Sequence, residues 1–290
     1  MAQALKIGAR SVGAGHPCYV VAEIGINHNG DLDTTKRLID AAVLAGCDAV
    51  KFQKRTVDVV YTAEELAKPR ESPFGAANGD LKRGLELDGA AYAAIGAYCA
   101  ERKIAWFASC WDEASVEFME RFAPPCYKIA SASLTDEALL RRHKNTGRPI
   151  VLSTGMSTLE QIDRAVGVLG RDNLLVMHTT STYPSDIKDL NLRVLPVLAE
   201  RYGVPVGYSG HEVGLAPTVA AVALGACMVE RHITLDRAMW GSDQAASVEP
   251  QGFARLVRDI RAVESAMGDG VKRVIDAEIP IMKKLRRVGC

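Results

Sequence analysis

Eight apolar, β-rich segments alternate with segments of helical periodicity along nearly the whole chain, and this alternation restricts the fold more than any other feature. Each β-rich segment has the length of a buried strand, and the segment after it carries apolar residues at helical spacing. Eight strand–helix units in a row predict an α/β fold, a (β/α)₈ TIM barrel. The predicted strands are residues 20–26, 49–53, 104–109, 126–131, 150–153, 174–178, 206–211 and 229–232.

No linker of the kind that separates domains interrupts this pattern, so we expect a single TIM-barrel domain over residues 1–290. Residues 1–18 are short and glycine-rich and read as an N-terminal hairpin or plug, whereas residues 272–290 form a basic tail without a strand. The longest predicted irregular stretch is residues 54–86. A connection of this length is more often functional than not, so it is either a lid over the barrel or an ordinary surface or dimer contact.

Composition excludes several classes of function. The chain has 48% hydrophobic and 24% charged residues, and its 35 basic and 35 acidic residues give a formal charge of +0 without long runs of one sign. We therefore expect neither nucleic acid nor membrane as a partner. The seven cysteines are scattered without a CxxC pair, and no signal core or membrane-length apolar run is present. These features predict a soluble, cytoplasmic protein with reduced thiols.

Two histidines end neighbouring predicted strands. His211 closes Val-Gly-Tyr-Ser-Gly-His, and His232 closes Val-Glu-Arg-His. The carboxyl ends of barrel strands form the face where reactive groups converge. The two imidazoles could share a divalent metal, leaving other positions for water and substrate, or they could be hydrogen-bonded rim residues.

Two lysines lie inside apolar strands. A buried ammonium group is costly unless it meets a negative group, so Lys51 and Lys128 are predicted to point into the barrel mouth. Serines stand at or near the ends of four predicted strands: Ser109, Ser131, Ser153 and Ser209. This combination of cations and hydroxyls predicts a site for a small phosphorylated, carboxylated anion.

Two acidic residues leave alternatives open. Glu23 lies within a buried strand and either pairs with Lys51 or takes part in proton handling. Asp243 follows the last strand in a polar loop, where most aspartates only form turns.

The motifs AEIGINHNG, AVKFQ, YKIAS, STGM, GYSGHEVG, VERHITLD and GSDQAASVEP occur in the order and spacing of the sialic acid synthase family. The chain resembles this family from about residue 20 to residue 287. The resemblance implies a barrel enzyme that condenses phosphoenolpyruvate with an N-acylated hexosamine such as N-acetylmannosamine. Its products would be a nonulosonic acid and phosphate. It also implies a divalent metal, Mn²⁺ or Mg²⁺, and a homodimer.

The resemblance also assigns roles to residues of this sequence. His211 and His232 would be the metal ligands. Phosphoenolpyruvate would contact Lys51, Ser109, Lys128, Ser131, Ser153, Ser181 and Ser209. Catalytic roles would belong to Glu23, Lys51, Gln53, Tyr183 and Asp243, with Glu23 at the reacting carbons and the last three facing the sugar.

The chain departs from the family pattern on the sugar side. Ser181 stands where asparagine is frequent, Gln244 replaces the histidine of GSDH, and the chain ends at KKLRRVGC, near where the family's C-terminal antifreeze-like domain begins. Two alternatives therefore remain at this point. One is a related synthase of another 2-keto-3-deoxy sugar acid, and the other is a non-catalytic sugar- or phosphate-binding barrel.

Overall fold

Eight parallel strands close into a barrel, which confirms the predicted fold class. The structure is a computed structural model and describes residues 3–289. Its strands are β1 (Leu5–Ile7), β2 (Arg10–Val12), β3 (Tyr19–Gly25), β4 (Ala49–Lys54), β5 (Pro69–Ser72), β6 (Gly75–Ala77), β7 (Ala105–Cys110), β8 (Tyr127–Ile129), β9 (Ile150–Ser153), β10 (Leu174–Thr179), β11 (Val206–Gly210) and β12 (Met228–His232). The barrel order is β3-β4-β7-β8-β9-β10-β11-β12, and β12 pairs with β3 to close it.

Helices surround the barrel. They are α1 (Leu32–Ala45), α2 (Val57–Val60), α3 (Ala63–Ala67), α4 (Asn78–Gly84), α5 (Gly89–Arg102), α6 (Glu113–Glu120), α7 (Glu137–Lys144), α8 (Leu159–Leu169), α9 (Val194–Tyr202), α10 (Ala216–Ala223), α11 (Pro250–Ala266) and α12 (Ile279–Leu285). Side-chain caps fix several of these helices. The Asp31 carboxylate, for example, accepts a hydrogen bond from the backbone N–H of Thr34 at the start of α1.

Successive side chains along each barrel strand alternate between two buried clusters, because neighbouring residues in a strand point to opposite faces. The outward-facing apolar side chains pack between the strands and the helices. The inward-facing ones, which include Tyr19, Phe107 and Met177, fill the barrel floor. The antiparallel hairpin β1–β2 adds Leu5 and Ile7 to that floor and confirms the predicted N-terminal hairpin. The amino-terminal end of the barrel is thereby filled, and the carboxyl end is left for a site.

The prediction that residues 54–86 are irregular is wrong, because the connection from β4 to α5, residues 55–88, contains regular elements. It contains α2, α3, the hairpin β5–β6 and α4, and we call it the β4–α5 segment. It packs against the loop after β12, where the ring centroids of Phe74 and Trp240 lie 6.2 Å apart in an edge-to-face contact. Gly30 has φ 74°, and a Cβ there would overlap the carbonyl oxygen of Gly84, so glycine permits this close approach.

After α11 the chain runs along the surface. Residues 268–289 are exposed almost throughout and hold one 3₁₀ turn and α12 but no strand within the part that is described. Within residues 3–289 no helix combines the length and apolar character needed to span a membrane.

Candidate active site

A cavity of about 200 Å³ opens at the carboxyl ends of the barrel strands. It brings together every predicted site residue except Asp243: Glu23, Lys51, Gln53, Ser109, Lys128, Ser131, Ser153, Ser181, Tyr183, Ser209, His211 and His232. Strand register explains the convergence on one side, because Glu23 on β3 lies level with His232 on β12 and with Lys51 on β4. Residues far apart in sequence therefore meet at one depth in the barrel.

Four buried charges form the base of the cavity, and we call Glu23, Lys51, Lys128 and Glu230 the inward cluster. The Lys51 ammonium lies 3.0 Å from Glu23 Oε2 and 3.5 Å from Glu230 Oε1, and Lys128 lies 3.2 Å from the same Glu230 oxygen. Sequence reasoning missed Glu230. The two-residue periodicity of a strand could have identified it, because Glu230 lies two residues before His232 and therefore points to the same inward face.

The two lysines are held differently. Burial lowers the pKa of Lys51, but Glu23 and Glu230 outweigh burial and the pKa is raised. Lys128 has one carboxylate partner instead of two. Burial therefore dominates, Lys51 adds repulsion, and the pKa of Lys128 falls to about 8. Burial raises the pKa of Glu230, but Lys128 and Lys51 outweigh it and hold that pKa at about 2.

The serines form an arc of hydroxyls beside the lysines. Ser109 accepts a hydrogen bond from Lys51 Nζ at 2.9 Å, and Ser209 donates to Glu230 Oε1 at 3.2 Å. The hydroxyl of Ser153 accepts from Thr179 Oγ1 at 3.2 Å. These bonds tie the arc to the inward cluster and fix the hydroxyl positions.

The outer end of the arc is shaped by a glycine. The Gly155 backbone N–H donates to Ser131 Oγ at 3.0 Å. A Cβ on Gly155 would overlap Ser181 Oγ and come within 2.8 Å of Ser131 Oγ. Ser181 Oγ is buried and has no hydrogen-bond partner among the described residues. Gly155 of the motif STGM thus leaves a narrow space beside Ser181 Oγ, a buried polar atom that lacks a hydrogen-bond partner.

The two histidines also line the cavity, with ring centroids 5.6 Å apart. Nδ1 of His211 lies 2.8 Å from the carbonyl oxygen of Thr180, an acceptor, so Nδ1 carries the proton and Nε2 keeps its lone pair. Burial, with His232 adding, lowers the pKa of His211 to about 3. Nδ1 of His232 is buried without a hydrogen bond and lies 3.8 Å from Asp243 Oδ2.

The residues predicted to face the sugar occupy three positions. Gln53 donates to Glu23 Oε1 at 2.9 Å and accepts from Arg55, so it orients the carboxylate of Glu23. The Tyr183 ring packs 4.1 Å from the His211 ring and is half exposed at the mouth. Asp243 does not line this cavity, but its Oδ2 lies 3.8 Å from Nδ1 of His232, which does.

Other polar residues at the strand ends face away from the cavity. His178 points outward beside Tyr208, and its Nε2 lies 2.6 Å from the carbonyl oxygen of Leu190. Thr154 Oγ1 donates to the Met177 carbonyl. Trp111 lines the cavity and was not predicted; Arg55 stacks 4.5 Å from its ring.

A second buried ion pair lies on the other side of the same strands. We call Glu212 and Arg231, with Tyr208 and Thr218, the outward cluster. Arg231 Nη1 lies 3.0 Å from Glu212 Oε1, and Nη2 donates to the Glu212 carbonyl. Tyr208 donates to Glu212 Oε2 at 2.9 Å and Thr218 to Oε1 at 2.9 Å. This cluster joins the residue after His211 to the residue before His232.

The chain is similar to known proteins over most of its length. The model of the NeuB family matches residues 38–272. N-acetylneuraminate-9-phosphate synthase of Homo sapiens is 41% identical over 282 residues, which are 95% of this chain and 78% of that protein. N,N'-diacetyllegionaminic acid synthase of Legionella pneumophila is 32% identical over 290 residues, 97% of this chain and 82% of that one.

The fold is also similar to that of a solved relative. The crystal structure of N-acetylneuraminic acid (sialic acid) synthetase from Leptospira borgpetersenii, in complex with citrate, superposes with a TM-score of 0.87 at 27% identity. The superposition covers 99% of each chain.

Proposed function

This chain belongs to the NeuB family, the family of sialic acid synthases, and we propose that it joins phosphoenolpyruvate to an N-acylated hexosamine such as N-acetylmannosamine. The products are a sialic-acid-like nonulosonic acid and phosphate. The enzyme is thus a phosphoenolpyruvate-dependent transferase of carbohydrate biosynthesis. The names of the relatives include a phosphorylated acid and an unphosphorylated acid. Members of the family thus form the same type of bond but differ in whether the acceptor carries a phosphate.

One observation carries the proposal: two buried lysines, an arc of serines, a carboxylate and two histidines line one cavity. Ammonium groups and hydroxyls suit the phosphate and carboxylate of phosphoenolpyruvate. In the proposed complex, Glu23, His211 and His232 face its reacting carbons. The cavity therefore combines groups that bind an anion with groups that can activate an aldehyde.

The charge balance favours a divalent metal in the same cavity. Glu23 and Glu230 already neutralise the two lysines, since two negative and two positive charges sum to zero. An incoming trianion therefore needs further positive charge. His211 and His232 would hold Mn²⁺ or Mg²⁺, because His211 Nε2 keeps a free lone pair and His232 Nδ1 is buried without a hydrogen bond, 3.8 Å from Asp243 Oδ2.

No cluster of three or more potential ligand side chains lies within residues 3–289, which leaves most metal positions for water and substrates. When bound, the metal supplies Lewis-acid polarisation of the aldehyde oxygen.

The residues of the chain account for the remaining steps. Lys51 and Lys128 hold phosphoenolpyruvate so that its C3 meets the aldehyde carbon, and a carbon–carbon bond forms. Water adds at C2, and Glu23, oriented by Gln53 and Lys51, accepts its proton. The C2–oxygen bond to phosphate then breaks, and the lysines stabilise the departing anion. One proton from water ends on the new alcohol, and the other leaves the C2 hydroxyl and ends on phosphate as the ketone forms, so the reaction consumes one water and needs no other reactant.

The proposal includes a homodimer that acts in the cytoplasm. Apolar side chains near the barrel mouth are strongly exposed, with Met156 at 69%, Ile187 at 62% and Val213 at 49%. A second subunit would cover them. The cysteines among the described residues are all free thiols, as a reducing compartment requires. Size-exclusion chromatography with light scattering would give a monomer mass if the dimer is wrong.

The decisive experiment measures phosphate released from phosphoenolpyruvate with Mn²⁺ and a panel of hexosamines and hexosamine phosphates. We expect acceptor-dependent release, no release with chelator, and loss of both activity and bound manganese in His232→Ala. His178→Gln is the matched control, because His178 lies one strand from His211 but faces the helices. Absence of release with every acceptor would reject the synthase, and unchanged metal content in His232→Ala would reject the ligand assignment.

A further inference from the structure

Arg55 is a buried cation that lies next to the active-site cavity without lining it. It directly follows β4, and it lies two residues after Gln53, the last residue of the motif AVKFQ. The proposed reaction gives Arg55 no contact with substrate or metal. Burying a guanidinium costs free energy unless its partners compensate, so those partners indicate what the residue does.

The Arg55 side chain connects a carboxylate outside the cavity to an amide that lines it. Nη1 lies 3.4 Å from Glu86 Oε1, and Nη2 donates to Gln53 Oε1. The backbone N–H of Arg55 donates to Glu86 Oε2 at 3.1 Å, and Lys54 Nζ donates to the same oxygen at 2.9 Å. Glu86 therefore holds both the backbone and the guanidinium of Arg55, and the guanidinium still reaches Gln53.

The segment that follows β7 also holds Arg55. The guanidinium carbon lies 4.5 Å from the centroid of the Trp111 ring, a cation–π distance. The next residue, Thr56, donates its backbone N–H to Asp112 Oδ2 at 2.7 Å and its hydroxyl to Asp112 Oδ1 at 2.9 Å. The position of Arg55 is therefore set by groups other than Gln53.

The contact with Arg55 determines which way the Gln53 amide faces. A glutamine amide has an oxygen that accepts hydrogen bonds and a nitrogen that donates them. Arg55 donates to the oxygen, so the nitrogen faces Glu23 and donates to Glu23 Oε1 at 2.9 Å. The other oxygen of Glu23 lies 3.0 Å from Lys51 Nζ. One oxygen of Glu23 is thus held by Lys51, and the other by an amide that Arg55 orients.

We propose that Arg55 is a positioning residue of the synthase reaction, which orients the Gln53 amide so that Glu23 faces the attacking water. This rests on the proposed function, because it takes Glu23 as the group that accepts the proton. Without Arg55 the amide can rotate, and the Glu23 carboxylate is held in the productive orientation for less of the time. Phosphoenolpyruvate binding should not change, because Lys51 and Lys128 remain in place.

The first test measures phosphate release by Arg55→Met, which keeps an unbranched side chain against Trp111 but removes the donors. We expect kcat to fall about tenfold, the effect of losing one hydrogen bond that involves a charged group, with KM for phosphoenolpyruvate unchanged. Arg55→Lys keeps a cationic donor and should recover part of the lost rate. Arg83→Met is the control, because Arg83 lies in the same β4–α5 segment but pairs with Asp58 on the surface, and it should change neither constant.

A double variant shows whether Arg55 acts through Gln53. In a Gln53→Leu background Arg55→Met should lower kcat no further, because the amide that Arg55 orients is gone. A merely structural role would lower kcat by the same factor in both backgrounds. That result, or a parental kcat in Arg55→Met, would overturn the inference, whereas phosphate release by the parent would leave the proposed function intact.

A measurement on the resting protein keeps the inference separate from turnover. The side-chain amide resonance of Gln53 in isotope-labelled protein is identified by its absence from Gln53→Leu. We expect the protons of this amide to exchange with water about tenfold faster in Arg55→Met than in the parent, since the amide loses the hydrogen bond that holds its oxygen. Equal exchange in the two proteins would overturn the inference even if the parent released no phosphate, the result that rejects the proposed function.

Discussion

Two buried ion clusters lie on opposite faces of one strand. Along β12, Glu230 and His232 point into the barrel, and Arg231 between them points toward the helices. The outward cluster joins one guanidinium to one carboxylate, and both oxygens of Glu212 accept hydrogen bonds from protein groups. The inward cluster joins four charges from four strands, and it leaves Glu230 Oε2 without a hydrogen bond.

The difference shows which buried charges serve the fold and which await a ligand. In the outward cluster the protein supplies nearly every hydrogen-bond partner. Burying this ion pair therefore costs little free energy, and the pair links two strands. The inward cluster lies beside two more unsatisfied atoms, Ser181 Oγ and His232 Nδ1. Buried polar atoms without partners are costly, so these atoms support the proposal that substrate or metal binds at this place. Stability and binding should therefore respond differently when each cluster is broken.

The largest expected effect is on stability. Arg231→Met leaves Glu212 buried without its cation, and breaking a buried pair in this way typically costs about 3–5 kcal/mol. We expect a loss of this size in the free energy of unfolding, measured by urea titration with circular dichroism. The affinity of the folded variant for phosphoenolpyruvate should change little, because no member of the outward cluster lines the cavity.

The double variant Glu212→Gln/Arg231→Met is the control for this prediction. Removing both charges should restore most of the lost stability, since no uncompensated charge remains. An Arg231→Met protein as stable as the parent would show that the outward cluster is not structural.

Lys128→Met should give the opposite result. Losing a charge-assisted hydrogen bond to phosphoenolpyruvate removes about 1.5–3 kcal/mol of binding free energy, or about 10- to 150-fold in Kd. Unfolding free energy should fall less than in Arg231→Met, because Glu230 keeps Lys51 and Ser209 as partners.

Calorimetric titration and urea unfolding together test this contrast, with Lys144→Met on the exposed surface of α7 as the control. Equal affinities of the parent and Lys128→Met for phosphoenolpyruvate would move the anion site elsewhere.

The smallest effect concerns pH. The pKa of Lys128 in the free enzyme is about 8, lowered by burial, and an anionic ligand favours the protonated form. Affinity for phosphoenolpyruvate should therefore be flat below about pH 8 and fall by up to about tenfold per pH unit above it. Lys128→Arg stays protonated through this range and should remove the decline. A parent enzyme whose affinity is constant from pH 7 to 9.5 would contradict the lowered pKa.

Much of the fold and site could be predicted because strand ends converge in a barrel. The spacing of Lys51, Lys128, His211 and His232 within strands already predicted that their side chains meet, and all of them line the cavity. For Glu23 the sequence left two roles open, pairing with Lys51 or proton handling. The structure gives the pairing, at 3.0 Å, and the proposed mechanism adds the proton.

The misses arose where local sequence does not determine contacts. Glu230 sits in the same four-residue motif as His232, but only the strand pairings show that its carboxylate lies between two lysines. His178 ends a strand as His211 does, and the alternation of faces turns it outward. The β4–α5 segment packs against the loop after β12 through Phe74 and Trp240, a contact between residues distant in sequence.

The active-site cavity and the surface beside it come from different stretches of the chain. The floor of the active-site cavity comes from barrel strands that also hold the core, whereas the β4–α5 segment and the loop after β12 together line a separate cavity of about 350 Å³. Substitutions in those two surface stretches leave the barrel core untouched, whereas substitutions in the floor alter the core and the site together. The surface stretches can therefore diverge among relatives while the barrel stays under constraint.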